Sequence, residues 1–185
     1  EYGNLFVDFK KNYDEIAPYA LSRDYFMEVV LRNTELLATG YKLYQLEQIY
    51  NLRGEQSFTD RKNNLSTGMG EFYKNFNASV DEKVFEQLIE LYATKAPQEF
   101  VPANLKNADF KKLTSEIYSE SKLTSYDKFK ELLSGDTKTV LAKINADKGF
   151  QLVKSMADVY LKDVNPKYDE INLRIAALQR TYMKG

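Results

Sequence analysis

Apolar residues recur at spacings of three and four along almost the whole chain, and alternation of apolar and polar residues is nearly absent. Leu5, Phe6, Phe9, Tyr13 and Ile16 follow the first pattern, as do Tyr25, Phe26, Val29, Val30, Asn33, Leu36 and Leu37. A 3.6-residue period places such positions on one side of a helix, whereas a half-buried strand needs a period of two. The chain is therefore expected to be all-α, an irregular elongated bundle of about eight helices. No repeat appears at the 33–34 residue periods of common helical solenoids.

Breaks in the pattern set the expected boundaries. Pro18 is expected to separate or kink the first two segments, because proline lacks an amide donor and collides with the preceding turn. Tyr41, Tyr44, Leu46, Ile49 and Tyr50 continue a stripe past Gly40, where a kink and a break are both open, and Gly54 is expected to end it. Asp60 to Phe76 reads as a further helix, weakened at Gly68 and Gly70 and for that reason expected to bend.

The segment from Ser79 to Ala96 carries a signal at each end. Ser79 and Glu82 form a capping box, in which the serine oxygen accepts from a free amide while the glutamate reaches back. Val84, Phe85, Leu88, Leu91 and Tyr92 are the expected buried stripe, and Pro97 stops the helix. Shorter helices follow at Phe110, Leu113, Ile117 and Tyr118, then at Phe129, Leu132 and Leu133 between Thr124 or Ser125 and Gly135, then from Thr137 to Asn145. Two longer ones close the chain. Lys148 to Val164 buries Phe150, Val153, Met156, Val159 and Tyr160. Pro166 to Lys184 starts with proline at a favoured first position, and its Leu173, Ala176, Ala177, Arg180 and Tyr182 are expected to pack closely on a neighbour.

Absences narrow the chemistry. The 185 residues include no histidine, so the usual general base at neutral pH and the commonest transition-metal ligand are both missing, and no Ser-His-Asp triad can form within them. There is no cysteine either, which removes thiolate chemistry and disulfides and leaves the redox compartment open. Twenty-six basic residues against 27 acidic ones, mixed along the chain, leave no footprint for nucleic acid or an anionic membrane. No apolar run reaches the roughly 20 residues of a membrane span. The chain opens at Glu1 without a signal-peptide pattern and reads as an excised piece or a mature form.

Positive signals for a site are weak. Asp14 and Glu15 are adjacent, and neighbouring helix positions point apart, so they read as solvated surface. Thr67-Gly68-Met69-Gly70 lacks the preceding strand and the lysine of a phosphate loop. Asn77-Ala78-Ser79 and Asn64-Leu65-Ser66 match a glycosylation triplet that short sequences satisfy by chance. Fourteen tyrosines and 11 phenylalanines are the one compositional excess. Most lie on helical stripes; Tyr2, Tyr19, Tyr73, Tyr126 and Tyr168 do so least clearly and are the better candidates for a surface facing another domain or a substrate. No catalytic, cofactor-binding or metal-binding residue is assigned, and no cofactor is expected.

Three stretches carry a resemblance. They are Val80-Asp81-Glu82-Lys83-Val84-Phe85 leading to Ala96-Pro97-Gln98-Glu99-Phe100-Val101-Pro102, Pro18-Tyr19-Ala20-Leu21-Ser22-Arg23-Asp24-Tyr25-Phe26 running to Glu35-Leu36-Leu37, and Arg180-Thr181-Tyr182-Met183-Lys184-Gly185. In order and spacing they resemble the helical insertion domain of bacterial dipeptidyl peptidases 7 and 11, serine peptidase family forty-six. The resemblance implies a chymotrypsin-like double β-barrel elsewhere in the same chain, carrying the triad, with the helical domain inserted into it as a cap over the cleft. It implies release of dipeptides from oligopeptide amino termini and a periplasmic or cell-surface location, and it leaves room for a homodimer of the parent enzyme.

The family's nucleophile segment and its acidic amine-binding and specificity positions have no counterpart here. Its Ser-Asn stretch near the substrate amine would lie before Glu1, and Gly185 reads as a boundary within one continuous helix. The whole chain, residues 1–185, is thus expected to be a single non-catalytic cap domain. The alternative is a freestanding helical module whose tyrosine-rich face binds a peptide or protein.

Overall fold

A computed structural model describes residues 2–32, 35–75, 82–120 and 125–184. Among these residues every regular element is helical, with eleven α-helices, two π-helical stretches and one short 3-10 turn. The helices are α1 (Tyr2–Phe26), α2 (Glu35–Arg53), α3 (Glu55–Gly68), α4 (Gly70–Asn75), α5 (Glu82–Lys95), α6 (Ala103–Lys106), α7 (Phe110–Glu120), α8 (Ser125–Leu132), α9 (Thr137–Ala146), α10 (Lys148–Val159) and α11 (Asn165–Lys184). The π stretches are Met27–Arg32 and Tyr160–Val164. The count exceeds the expected eight partly because the chain breaks at Met69 and adds the single turn of α6.

The first two helical segments are joined, not separated. Pro18 sits inside α1. Ile16 and Tyr19, on either side of it, both pack in the cluster formed with Ile171 and Ile175 of α11, so tertiary packing carries the helix across the lost hydrogen bond. The second expected segment divides instead after Phe26, where the backbone widens into the π stretch that buries Val29 and Val30 completely.

Gly40 neither kinks nor ends its helix: α2 runs through it and stops at Gly54, whose φ of 91° is left-handed. A Cβ at Gly40 would lie 2.8 Å from the Val153 Cγ2 and 3.0 Å from the Gly149 carbonyl oxygen. Gly40 is where α2 and α10 touch backbone to backbone.

The body of the molecule is built on that pair, with α3 along α2 and α9 beside α10. Its core holds Phe26, Leu37, Leu43, Phe58, Phe85, Ile89, Tyr92, Phe129, Phe150 and Met156, each at most 1% exposed. Burying one such side chain stabilises the fold by roughly 1.5–3 kcal/mol. In α5 the buried stripe is Phe85, Ile89, Tyr92 and Ala93, while Val84 is 41% exposed. The expected stripe was thus rotated by part of a turn. The Ser79 cap lies outside the described residues.

Caps that do stand in view include Asp136, whose side chain accepts from the Thr139 amide at 2.8 Å, and Asp147, which accepts from the Phe150 amide at 2.9 Å and pairs with Lys128 at 2.9 Å. They fix the starts of α9 and α10.

From the body projects an arm made of α1 and α11. Glu15 accepts two bonds from Arg174, at 3.0 and 3.3 Å, and the Arg23 guanidinium lies over the Tyr168 ring at 4.9 Å. Numbers rise along one helix as they fall along the other, so the pair is antiparallel. Leu5, Phe9, Asn12, Ile16, Tyr19 and Arg23 of α1 alternate spacings of four and three, and Tyr168, Ile171, Ile175 and Leu178 do the same in α11, the pattern of a coiled-coil seam.

Leu173, expected inside, is 69% exposed, and Ile171 and Ile175 make the contact instead. Phe6 and Tyr13 likewise stand outside the seam, 70% and 50% exposed. Pro166 does not open a separate helix. The Asn165 amide bonds back to the Tyr160 carbonyl, five residues earlier, so the π stretch carries α10 directly into α11 just ahead of the proline.

Asn12 is a polar residue in the middle of the seam. Its amide nitrogen donates to the Asp8 carbonyl at 2.7 Å, but its side-chain oxygen is buried without a partner. Replacing Asn12 with leucine removes that orphan acceptor and is expected to raise stability by about 1 kcal/mol, read as a rise of about 2–4 °C in Tm by circular dichroism. An unchanged or lowered Tm would show that the asparagine is already satisfied.

Candidate functional site

Both arm helices enter the body through π stretches at one place, the joint around Tyr160. Phe26, the last residue of α1, stacks on Tyr160 with centroids 4.4 Å apart and planes 11° from parallel, and meets Tyr41 edge-on at 5.9 Å. Arg23 Nε donates to the Tyr160 hydroxyl at 3.3 Å, and that hydroxyl donates to Asn165 Oδ1 at 3.3 Å. The bond from Arg23 pushes its guanidinium pKa up. Ordinary α geometry gives one side-chain direction every 100°, and a π insertion shifts that register. The shift brings a cation, a phenol and an amide into one file across the joint. These groups orient one another.

The tyrosines singled out in the sequence do not form a free surface. Tyr73 donates to or accepts from the Thr39 hydroxyl at 2.6 Å and lies 5.2 Å from the Tyr126 ring and 6.0 Å from that of Phe129, and burial pushes its phenol pKa well up. Tyr126 itself is flanked by Lys130 at 4.4 Å. Tyr19 packs on Phe100 at 5.0 Å, and Tyr168 lies under Arg23. All four are half-buried at the edge of the core. The side chain of Tyr2 lies outside the described residues. Phenols at this boundary gain packing for the ring while keeping a polar partner for the hydroxyl, which explains the tyrosine excess structurally. Tyr92, 1% exposed, is pushed up to about 12 by burial, against a hydrogen bond with Ser22 that lowers it.

The remaining sequence candidates also resolve into structure. Glu15 is the arm's ion-pair partner and Asp14 is exposed, so the two carboxylates do not act together. Met69 is buried in the turn between α3 and α4, and a Cβ on Gly70 would reach the Tyr126 hydroxyl at 3.6 Å; this is packing, not a phosphate loop. Asn64-Leu65-Ser66 lies within α3, with Leu65 buried and Ser66 bonded to the Lys62 carbonyl at 2.9 Å. Asn77-Ala78-Ser79 is outside the described residues.

Among the described residues the most enclosed charge is Glu47, 5% exposed, held by Lys154 at 2.7 Å and Asn51 at 3.3 Å between α2 and α10. Beside it the Tyr44 hydroxyl donates to Asp158 at 3.0 Å. These pairs align the two central helices. A shallow groove between α7 and α10 is lined by Asp109, Lys112, Glu116, Lys148 and Gln151. Its Lys148 is occupied by Glu120 at 2.9 Å and Glu116 at 3.7 Å. Among the described residues no three metal-ligating side chains converge, and no helix is long and apolar enough to cross a membrane.

Without histidine or cysteine, the chain is a helical scaffold that cannot form a Ser-His-Asp triad from its own residues. Residues 1–185 match the Peptidase S46 family throughout, and the chain belongs to that family. It is 64% identical over 185 residues to an Asp/Glu-specific dipeptidyl-peptidase of Flavobacterium psychrophilum and 40% identical to an Asp/Glu-specific dipeptidyl-peptidase of Capnocytophaga gingivalis. A dipeptidyl-peptidase 7 of Capnocytophaga gingivalis is 23% identical over 191 residues. Each match covers the whole of this chain and 26% of the relative, so the chain spans about a quarter of the length of the curated relatives it matches.

Proposed function

We propose that this chain is the non-catalytic helical cap of a serine dipeptidyl aminopeptidase that releases dipeptides from oligopeptide amino termini, with preference for Asp or Glu. The observation that carries the reading is the conjunction of whole-chain membership in a peptidase family with a complete lack of histidine. A peptidase segment that cannot hold the triad has a supporting part to play. An exopeptidase must close one end of its cleft and position the substrate's ammonium group, and a rigid scaffold does this with little entropic loss. The catalytic β-barrel of the same polypeptide is the cap's partner. The acidic preference is drawn from the Asp/Glu specificity of the two relatives at 64% and 40% identity. A periplasmic or cell-surface location rests on the family resemblance and is read by cell fractionation.

Two assays test the proposal. The full-length protein is expected to release acidic dipeptides from chromogenic substrates and to lose that activity to a serine-directed phosphonate. The 185-residue chain alone is expected to release none. Turnover by the isolated chain that survives repurification would overturn the cap reading.

A further inference from the structure

The file across the joint leaves two sets of hydrogen-bond donors unspent. A guanidinium carries five N–H groups. Arg23 gives one, from Nε, to the Tyr160 hydroxyl, and its guanidinium lies over the Tyr168 ring; among the described residues nothing takes the four on Nη1 and Nη2. Asn165 accepts from the same hydroxyl through Oδ1, which leaves both N–H groups of its side-chain Nδ2 without a partner among the described residues.

Both donor groups hang from one fixed point. The Tyr160 hydroxyl is 3.3 Å from each, and Tyr160 itself is 7% exposed and stacked on Phe26. Arg23 and Asn165 are half-buried, so solvent reaches them while part of their hydration is already gone. A free surface arginine loses rotamer freedom when it binds. This one is held at Nε and along its face beforehand, so little freedom is left to lose.

Everything on offer is a donor, and the matching ligand is an acceptor-only group. The guanidinium edge presents two parallel N–H bonds, which fit the two coplanar oxygens of a carboxylate. Asp24, next to Arg23 in the chain, is exposed and forms no ion pair with it. Its negative charge opposes a doubly charged phosphate more than a singly charged carboxylate.

We propose that the joint is a carboxylate-binding site, with Arg23 as its fork and Asn165 beside it, and that it takes acidic peptides of the kind the parent enzyme handles. The peptide part rests on the peptidase reading above, whereas the carboxylate part rests on the donors at the joint.

Isothermal titration of the full-length protein with alanyl-aspartate tests the site, after a serine-directed phosphonate has closed the reacting serine to the peptide. Saturable binding is expected, and Arg23→Gln is expected to weaken it by at least about tenfold, the effect of losing charge-assisted hydrogen bonds. Asn165→Leu spares the arginine and is expected to weaken binding by about threefold. An unchanged Tm for each variant shows that the joint is still folded. Alanyl-asparagine keeps only the main-chain carboxylate and the α-amide of alanyl-aspartate only the side-chain one, so the tighter of the two identifies the carboxylate on Arg23. Alanyl-asparagine amide, which has neither, is expected not to bind. Absence of binding, binding that Arg23→Gln leaves unchanged, equal binding of the peptide without carboxylates, or tighter binding of inorganic phosphate would each overturn the proposal. A protein that the phosphonate does not label has failed the peptidase reading; a labelled protein whose peptide binding is independent of Arg23 has failed the site.

Discussion

Replacing Phe26 with alanine is expected to lower the stability of the protein by about 4 kcal/mol, because a large buried ring is lost and the cavity cannot collapse between two π stretches. Phe26 is 1% exposed and holds the Tyr160 ring on one side and the Tyr41 ring on another. Its loss removes packing and two aromatic pairs at the joint where the arm meets the body. Thermal unfolding followed by circular dichroism should show a fall in Tm of roughly 8–16 °C. A loss below about 1 kcal/mol would mean that the joint is loosely packed and that the arm is not rigidly held. In a double-mutant cycle with Tyr160→Leu, the two losses should fall short of additivity by about 1 kcal/mol, the worth of the stacked pair.

Gly40→Leu is expected to cost about 3 kcal/mol, the upper range for overpacking a tight helix crossing. The first added carbon would already lie 3.0 Å from the Gly149 carbonyl oxygen, which is backbone and cannot step aside. Gly40→Ala should be milder, since alanine's better helix propensity returns about 1 kcal/mol. Adding Val153→Ala to Gly40→Ala should recover part of the remaining loss by clearing the 2.8 Å contact, but not the clash with Gly149. Full tolerance of leucine, with Tm unchanged, would contradict the close approach of α2 and α10.

The difference between these positions shows what the sequence could convey. Helical period is local, so the all-α class and most of the helices, such as those closed by Gly54 and Pro97, were legible from spacing alone. Pro18 and Gly40 misled because a residue that weakens an isolated helix is retained where tertiary packing outweighs its cost. At Gly40 that packing requires the absence of a side chain. The Val84 to Ile89 discrepancy has another source: an apolar stripe wider than its contact leaves the true buried line ambiguous by part of a turn. Leu173 errs in the same way, because the seam that buries Ile171 and Ile175 is fixed by α1, more than 150 residues away in sequence.

Function was legible chiefly through what the chain lacks. The absence of histidine excluded a self-contained triad, and the three quoted stretches pointed to the family that the whole-chain match establishes. The tyrosines proved a poor guide, since their spacing could not reveal partners such as Thr39 for Tyr73 or Phe100 for Tyr19. That Arg23, Tyr160 and Asn165 meet is not legible in the sequence, because π geometry, which brings them together, leaves no mark in a 3.6-residue pattern. Phe6 fits the first apolar stripe by spacing alone, and only its 70% exposure distinguishes it from a core residue.

The central claim is that these helices serve a catalytic site located elsewhere in the polypeptide. The most direct measurement is dipeptide release by the full-length protein after residues 2–184 are replaced by a short glycine-serine linker, which the adjacent ends of α1 and α11 permit. The account predicts that release falls by about 100-fold, the effect of losing substrate positioning, while a serine-directed phosphonate still labels the barrel. Dipeptide release that continues at the intact protein's rate would contradict it.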